Sequence, residues 1–363
     1  MVNPQTARPS FDASLNSATS KLREGLRLLF ATPLNAFLTL FFVWGLYLIT
    51  PPIFRWAVLD AVFVNPDPES CRVAAGACWN FVYAKLGQLL FGIFPYELRW
   101  RPSVVCLLIV GLLAWSVQPS SWTKRLAVVW LLAMYAVFWL MGGGLGLSAV
   151  PSSNWGGLPI TLILTVSAIG LGFPLGILLA LGRRSELPAL RICCVFFIEA
   201  VRGLPLLSIL FVASIMLPLF LPESLLPDKF TRALVALTLF ASAYFAEVVR
   251  GGLQGIGKGQ YEAVDSLALP YWKAQRLIIL PQAIRSVIPA IANTVIVMIK
   301  NTSLVMVVGL FDIISSGKAA LADPAWPSPA AETYFFIGGV FFVICFAFAR
   351  FADFLEKRGN ANA

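Results

Sequence analysis

Long apolar runs without a single charge recur along this chain. Such runs cover residues 31–54, 102–123 and 126–182. A bilayer core about 30 Å thick is crossed by roughly 20 apolar residues in a helix. The pattern predicts about eight transmembrane helices, near residues 34–50, 103–118, 126–141, 158–181, 192–221, 233–253, 287–310 and 333–350.

The composition agrees with this pattern. Of 363 residues, 59% are hydrophobic and only 12% are charged, and the mean hydropathy is +0.82. Soluble domains carry about 25% charged residues. We therefore expect an all-α polytopic membrane protein, in contact with membrane lipid over much of its surface.

The basic residues indicate how the chain is oriented in the membrane. The net charge is +9, with 27 Lys and Arg, and such residues are retained on the cytoplasmic side of a membrane. A cytoplasmic amino terminus places most of them in cytoplasmic loops, so we expect both termini inside. Residues 1–30 lack the features of a signal peptide and are predicted to be a cytoplasmic segment. No basic stripe with interleaved aromatic residues is present, which argues against nucleic acid as a partner.

One long loop fits this orientation less well. Residues 51–102 are predicted to be periplasmic, although several basic residues lie within them. Their apolar middle, residues 77–94, is compatible with an interfacial helix or with a further span. Cys71 and Cys78 share the loop, and an extracytoplasmic location would permit a disulfide between them. Both questions stay open at the level of sequence.

A Gly- and Pro-rich stretch interrupts the longest apolar run. Residues 141–159 read MGGGLGLSAVPSSNWGGLP, which no helix continues through. We predict a joint here, between an accessory region of about three helices (31–155) and a five-helix core (156–363).

Catalytic chemistry has little support in this sequence. The chain contains no histidine, the commonest general base and metal ligand. Gly252, Gly257 and Lys258 match the spacing of a phosphate-binding P-loop, but Gly259 replaces the required Ser or Thr and no strand precedes them. We expect no catalytic residues, no metal and no cofactor bound by this chain.

A polar interruption between two late spans is the main candidate site. Within residues 258–289, Gly257 and Gly259 end one span, and Pro270 and Pro281 separate short helices. The predicted product is a helical elbow that carries cations and an exposed carboxylate, Glu262. An ordinary solvated loop is the alternative.

The motif in this elbow resembles the EAA loop of ABC-importer permeases. The matching residues are Glu262, Ala263, Val264, Ala268, Ile278, Leu280 and Pro281. Val264 replaces the usual Ala, and Ala268 replaces the usual Gly. The resemblance implies a type I importer core whose elbow fits a cleft on a cytoplasmic ATPase, with Glu262 as the ionic anchor.

Further motifs narrow the resemblance. Residues 246–252 (AEVVRGG), 259–263 (GQYEA), 199–205 (EAVRGLP) and 300–304 (KNTSL) are similar to the polar-amino-acid branch of these permeases. Residues 76–79 (GACW) and 96–101 (YELRWR) resemble its M-type permeases for general L-amino-acid transport. This implies a permease subunit in the cell inner membrane. Its partners would be an ATPase dimer that holds ATP and Mg²⁺, a second homologous permease (a heterodimer rather than a homodimer) and a periplasmic amino-acid-binding protein.

Polar side chains inside predicted spans need partners or water, because charge at bilayer depth is costly. Glu199 with Arg202, and Glu247 with Arg250, are spaced i, i+3 and are predicted to form structural ion pairs. Four consecutive polar residues lie within the seventh predicted span: Lys300, Asn301, Thr302 and Ser303. They are candidates to line the translocation path. The alternatives for Lys300 are that its side chain snorkels to the membrane interface or forms a structural bond.

The leading alternative is a secondary transporter driven by an ion gradient. Such proteins tend to carry acidic relays and inverted repeats. Here Glu199 is the clear acid in mid-span and no repeat is visible. A membrane-embedded enzyme has no paired carboxylates or metal cluster to support it.

Overall fold

The computed structural model describes residues 27–64 and 67–361. Most of the predicted cytoplasmic segment 1–30 therefore lies outside the described residues. The helices are α1 (Pro33–Phe54), α2 (Glu69–Val73), α3 (Trp79–Ala84), α4 (Leu86–Phe91), α5 (Trp100–Ser116), α6 (Lys124–Gly142), α7 (Gly157–Arg183), α8 (Pro188–Gly203), α9 (Leu206–Phe211), α10 (Leu217–Phe220), α11 (Lys229–Gln254), α12 (Lys258–Ser266), α13 (Tyr271–Ala274), α14 (Leu280–Ser286), α15 (Ile288–Asn301), α16 (Ile313–Leu321) and α17 (Ala330–Ala361). A two-residue strand, β1 (Phe311–Asp312), lies beside Gly156 and Gly157.

The predicted all-α polytopic fold is confirmed. Within the described residues, seven helical stretches are long and apolar enough to cross a membrane, namely Pro33–Leu59, Tyr96–Ser116, Lys124–Gly142, Gly157–Arg183, Lys229–Gln254, Ile288–Val308 and Ala330–Lys357. An eighth crossing would be a bent pair, Pro188–Gly203 with Leu206–Phe220.

The bent pair corrects the predicted single helix over residues 192–221. Its two halves differ in direction by 105°. Pro205 lacks a backbone N–H and forces the residue before it out of the helical region. Leu204 accordingly has extended dihedral angles, φ −101° and ψ 140°. The span is therefore broken where the sequence reads Leu-Pro.

The described chain divides into two compact units, one that ends at residue 79 and one that begins at residue 80. In the first unit, Thr32 caps α1 by accepting a hydrogen bond from the Asn35 N–H at 3.1 Å. No residue of α1 is buried, as expected of a helix that faces lipid. Cys71 and Cys78 form a disulfide, which answers one question that the sequence left open. The predicted joint between residues 155 and 156 stays a prediction.

In the second unit, α7 and α11 pack in parallel along most of their length. A Cβ built on Gly176 would lie 2.6 Å from the Phe245 Cβ and 2.9 Å from the Ser242 carbonyl oxygen. Only glycine allows this close approach. The carboxyl ends of both helices therefore lie together at one end of the bundle, beside α12–α14. We call this the elbow end; the opposite end, with Gly157, Lys229 and β1, is the strand end.

Residues 79–91 form no further span, which resolves the second open question. They fold as α3 and α4, each only six residues long. Phe81 and Leu89 are fully buried in protein, and α4 packs against α16 and the beginning of α7. Gly92, with φ +59°, ends α4. The apolar character of this segment reflects burial among protein side chains.

Candidate functional site

The predicted elbow is present and packs firmly on the bundle. It consists of α12, α13, a π-helical turn (Gln275–Ile279) and α14. Its buried side chains include Val264, Ile279 and Ala283, which join an apolar cluster with residues of α7 and α11 such as Leu181 and Val249. Displacement of the elbow would therefore be transmitted directly to these two helices.

The residues of the EAA-like motif divide between this packed side and an exposed side. Val264 is 5% exposed, and Ile278 and Leu280 are half-buried. Glu262, Ala263 and Pro281 are exposed. Within the described residues the Glu262 carboxylate forms no ion pair, which leaves it available to a partner.

Ala268 occupies the position where the resembling motif has glycine, and the backbone explains that preference. Its φ is +50°, in the left-handed region that costs an L-residue roughly 1–2 kcal/mol. The Ala268 N–H donates to the Asp265 carbonyl at 3.0 Å, so the residue ends α12 in a turn that usually employs Gly. The sequence indicated an exchanged small residue here; it did not reveal a strained one.

Large apolar side chains on the elbow were missed by sequence reasoning. Leu267, Trp272 and Leu277 are 65%, 65% and 66% exposed, although none lies in a candidate span. Lys273 and Arg276 are exposed beside them. We call these five residues, together with Glu262, the elbow surface. The available signal was the position of Trp272 next to Lys273 and of Leu277 next to Arg276.

Half-buried ion pairs near the elbow end differ in part from the predicted ones. Glu247 does pair with Arg250, and the Arg250 Nε lies 2.9 Å from its Oε2. Among the ion pairs of the described residues, Glu199 does not pair with Arg202. Instead, Glu199 lies 3.0 Å from Arg183, while Arg202 lies 3.4 Å from Glu247. The i, i+3 spacing allows Glu199 to pair with Arg202 within α8. The packing of α7, α8 and α11 instead brings both residues together with charges on neighbouring helices.

Arg183, which the sequence reasoning did not single out, links both acids. Its Nη1 lies 3.0 Å from Glu199 and 3.3 Å from Glu247. Three arginines thus share two glutamates, with Glu247 at the centre. Arg183 is the first charge after the longest uncharged run, which was the signal for a residue at a helix end.

The candidate path residues do not share one face. Lys300 is exposed at the end of α15 and forms no ion pair within the described residues. Asn301 and Ser303 are half-buried, and Thr302 is 1% exposed. The Thr302 hydroxyl donates to the Ile299 carbonyl at 2.7 Å and that of Ser303 to Lys300 at 2.7 Å. Their polarity is largely satisfied by their own helix, which leaves Lys300 as the exposed charge.

At the strand end, Lys85 and Arg101 have direct side-chain partners. The Lys85 Nζ lies 2.5 Å from Asp323 Oδ2, and this hydrogen bond, aided by the Ala325 N–H, lowers the pKa of the Asp323 carboxyl. Arg101 donates to the carbonyl and the hydroxyl of Ser148, both at 2.7 Å. Asp312 is fully buried and caps α16 by accepting from the Ser315 N–H at 2.8 Å. Burial raises the pKa of Asp312 in spite of its bonds to Ser315.

The polytopic helical bundle and its packed elbow are the architecture expected of a transport permease. The comparisons agree: residues 172–360 match the family described as the binding-protein-dependent transport system inner membrane component. The chain belongs to that family.

Relatives of known description cover nearly the whole chain. The inner membrane amino-acid ABC transporter permease protein YhdY of Escherichia coli is 46% identical over 341 residues, 92% of each chain. The glutamate/glutamine/aspartate/asparagine transport system permease protein BztC of Rhodobacter capsulatus is 34% identical over 399 aligned residues, 91% of this chain and 92% of that one. A crystal structure of an amino acid ABC transporter with histidines is 32% identical over 55% of this chain and 90% of its own, with a TM-score of 0.48.

Proposed function

We propose that this chain is the L-amino-acid permease subunit of an ABC importer and that a separate pair of ATPase chains binds its elbow surface. One observation carries the proposal: Leu267, Trp272 and Leu277 are each about two-thirds exposed outside any candidate span. Large exposed apolar side chains on a segment outside the membrane favour a docking partner. The unpaired Glu262 supplies an ionic anchor at the same surface.

The disulfide supports a cytoplasmic elbow. Disulfides persist in oxidising compartments such as the bacterial periplasm, so Cys71 and Cys78 favour a periplasmic loop after α1. From that loop the chain crosses five times before the elbow, through α5, α6, α7, the bent span and α11. Five crossings return the chain to the cytoplasm. On this topology both termini lie on the cytoplasmic side of the inner membrane.

The proposed mechanism is mechanical. ATP and Mg²⁺ bind the partner ATPase chains, whose closure moves the elbow. Because Val264 and Ile279 anchor the elbow to α7 and α11, these helices move with the elbow. Their movement closes the translocation path on one side of the membrane and opens it on the other. The energy of a remote reaction thus shifts a conformational equilibrium.

The substrate and the remaining partners follow from the relatives. Their names describe amino-acid transport, so we propose L-amino acids, delivered by a periplasmic binding protein. The path would lie between this chain and a second homologous permease, in a heterodimer. A lysine at bilayer depth costs roughly 2.5–3.5 kcal/mol, and a water-filled path would lower that cost for the exposed Lys300. A changed apparent affinity or rate in Lys300→Met tests this role.

The test is uptake of labelled L-amino acids by cells that contain the whole transporter. Glu262→Lys places a cation where an ionic anchor is proposed, and we expect uptake to be abolished while the protein still inserts into the membrane. Glu186→Lys is the matched control, because Glu186 is also exposed at the elbow end but lies outside the elbow. Normal uptake by Glu262→Lys would remove the docking role. Uptake that survives ATP depletion but stops with an uncoupler would favour the secondary transporter.

A further inference from the structure

A tight hairpin follows α6 at the strand end and presents one leucine at its tip. Gly144 and Leu147 exchange both backbone hydrogen bonds, at 3.0 and 3.2 Å. Between them, Leu145 and Gly146 have φ +49° and +93°. Positive φ at both central residues is typical of a type I′ turn. Leu145 is 82% exposed, the largest exposed fraction among the large apolar residues of the described chain.

Leucine is an unexpected residue at this tip. Type I′ turns favour Asn-Gly or Asp-Gly, because other L-residues rarely adopt the left-handed conformation. Leu145 therefore strains the turn, and its exposed side chain makes little packing contact within the chain. Strained residues of this kind cluster at functional sites. The strain indicates a contact outside the chain.

The hairpin is a rigid support for this side chain. Arg101, which is 2% exposed, donates to the Ser148 carbonyl and hydroxyl, both at 2.7 Å. The Trp139 indole N–H donates to the Gly144 carbonyl at 2.7 Å. A Cβ built on Gly143 would lie 2.2 Å from the Ser148 carbonyl oxygen, so the base of the hairpin is closely packed. An apolar group that is already held in place loses little further freedom when it binds.

The tip is built for contact with water or protein and not for contact with lipid. α6 ends at Gly142, and the hairpin lies outside every candidate span of the described residues. The N–H groups of Leu145 and Gly146 have no hydrogen bond in the described part of the chain. Irregular backbone with free polar groups does not occur against lipid. A protein surface supplies both an apolar contact for Leu145 and acceptors for the two N–H groups.

The hairpin is fixed to the helices of the core. Trp155 packs between Phe138 of α6 and Phe230 of α11, with ring centroids 6.3 and 5.1 Å apart. The Ser152 hydroxyl donates to the carboxylate of Asp228, the residue that caps α11. A partner that binds the tip is therefore held in a defined place beside the strand end of the core.

We propose that this hairpin is a docking point for the periplasmic amino-acid-binding protein, with Leu145 as its apolar anchor. The inference rests on the proposed function, whose topology places the strand end in the periplasm. On that topology the ATPase chains lie across the membrane, and the second permease lies beside the spans. The binding protein is the partner that approaches the tip from water. The hairpin lies outside residues 172–360, which match the transport family, so the accessory region adds this contact to the core.

The experiment uses washed spheroplasts that contain the whole transporter, because their outer surface is the periplasmic face of the membrane. The transporter's own binding protein is purified and added at increasing concentration. It is loaded in turn with labelled L-glutamate, L-glutamine, L-aspartate and L-asparagine, the amino acids in the name of the relative BztC. The concentration of loaded binding protein that gives half-maximal uptake reports the strength of docking.

Leu145→Asn separates docking from stability. Asn-Gly is a preferred type I′ pair, so the turn should become more stable while the apolar anchor is lost. We expect an unfolding temperature at or above that of the wild type. The half-saturating concentration should rise about tenfold or more, as the loss of a buried leucine side chain implies.

Two further variants control this result. Leu145→Met keeps an apolar side chain at the tip and should stay close to the wild type. Leu187→Asn removes a leucine that is 65% exposed at the elbow end, on the other side of the membrane. It should leave the half-saturating concentration unchanged.

A second measurement does not depend on transport. Leu145→Cys places a thiol at the tip, and a membrane-impermeant maleimide added outside the spheroplasts should label it. Loaded binding protein should slow this labelling. The chain without the substitution gives the background from its other cysteines.

Several results would overturn the inference. One is an unchanged half-saturating concentration in Leu145→Asn, and another is labelling of Leu145→Cys that the binding protein does not slow. Absence of labelling from outside would place the tip in lipid or in the cytoplasm. A lower maximal rate with loss of the second permease from the purified complex, at unchanged half-saturation, would assign the hairpin to permease pairing. Absence of ATP-dependent uptake in the wild type would contradict the proposed function, whereas protection of the tip would still decide the inference.

Discussion

The two ends of the bundle use charge in different ways. At the strand end, Lys85 and Asp323 satisfy one another, and Arg101 is held by Ser148. At the elbow end, Glu247 is shared among Arg183, Arg202 and Arg250. Glu262 has no partner in the described chain. Charges that are each held by one direct partner suit a part of the molecule that stays fixed, whereas shared and unpaired charges suit one that moves and binds.

The largest effect should come from the centre of the shared network. Glu247→Ala leaves three arginines without their common acid, and the partial exposure of these side chains keeps the cost below the roughly 3–5 kcal/mol of a fully buried pair. We expect a large fall in the thermal unfolding temperature of the purified transporter and loss of uptake. Glu199→Ala is the control, because its side chain is 54% exposed and has one partner. Equal losses in the two variants would show that Glu247 is not the centre of the network.

A smaller change in stability, and one of opposite sign, is expected within the elbow. Ala268→Gly relieves a positive φ and should stabilise the protein by up to about 1 kcal/mol. Ala263→Gly, on the exposed side of α12, should destabilise it by about 1 kcal/mol. Chemical unfolding of the two variants measures this contrast. If both lose stability, the left-handed backbone at Ala268 is not a source of strain.

The smallest effect belongs to the strand end. Asp323 has a lowered pKa in the folded state, so its ionised form stabilises the fold above the unfolded pKa of about 3.9. This contribution is lost as the pH falls through the lowered value. Asp323→Asn should be slightly less stable than the wild type at neutral pH, and the difference should shrink in acid. A difference in thermal unfolding temperature that is independent of pH would contradict this assignment.

The sequence predicted the spans and the elbow better than it predicted the contacts. Apolar length alone located the membrane helices, and the motif around Glu262 located the elbow. The pairing of Glu199 with Arg183 depends on how three helices pack, which spacing along one helix does not contain. The exchange of Gly for Ala268 was visible in the sequence, but its positive φ was not, because a residue type does not reveal a backbone angle. The burial of Gln275, which is 9% exposed, likewise depends on the packing of the elbow and is not visible in the sequence.

The claim on which this account depends is that the elbow surface binds an ATPase. Its most direct measurement is the amount of ATPase that copurifies with the tagged chain from membranes. We predict that Trp272→Ala greatly reduces this amount, since Trp272 supplies much of the exposed apolar area. Trp122→Ala should leave it unchanged, because Trp122 is also half-exposed but lies in the loop between α5 and α6. Undiminished copurification with Trp272→Ala would contradict the account.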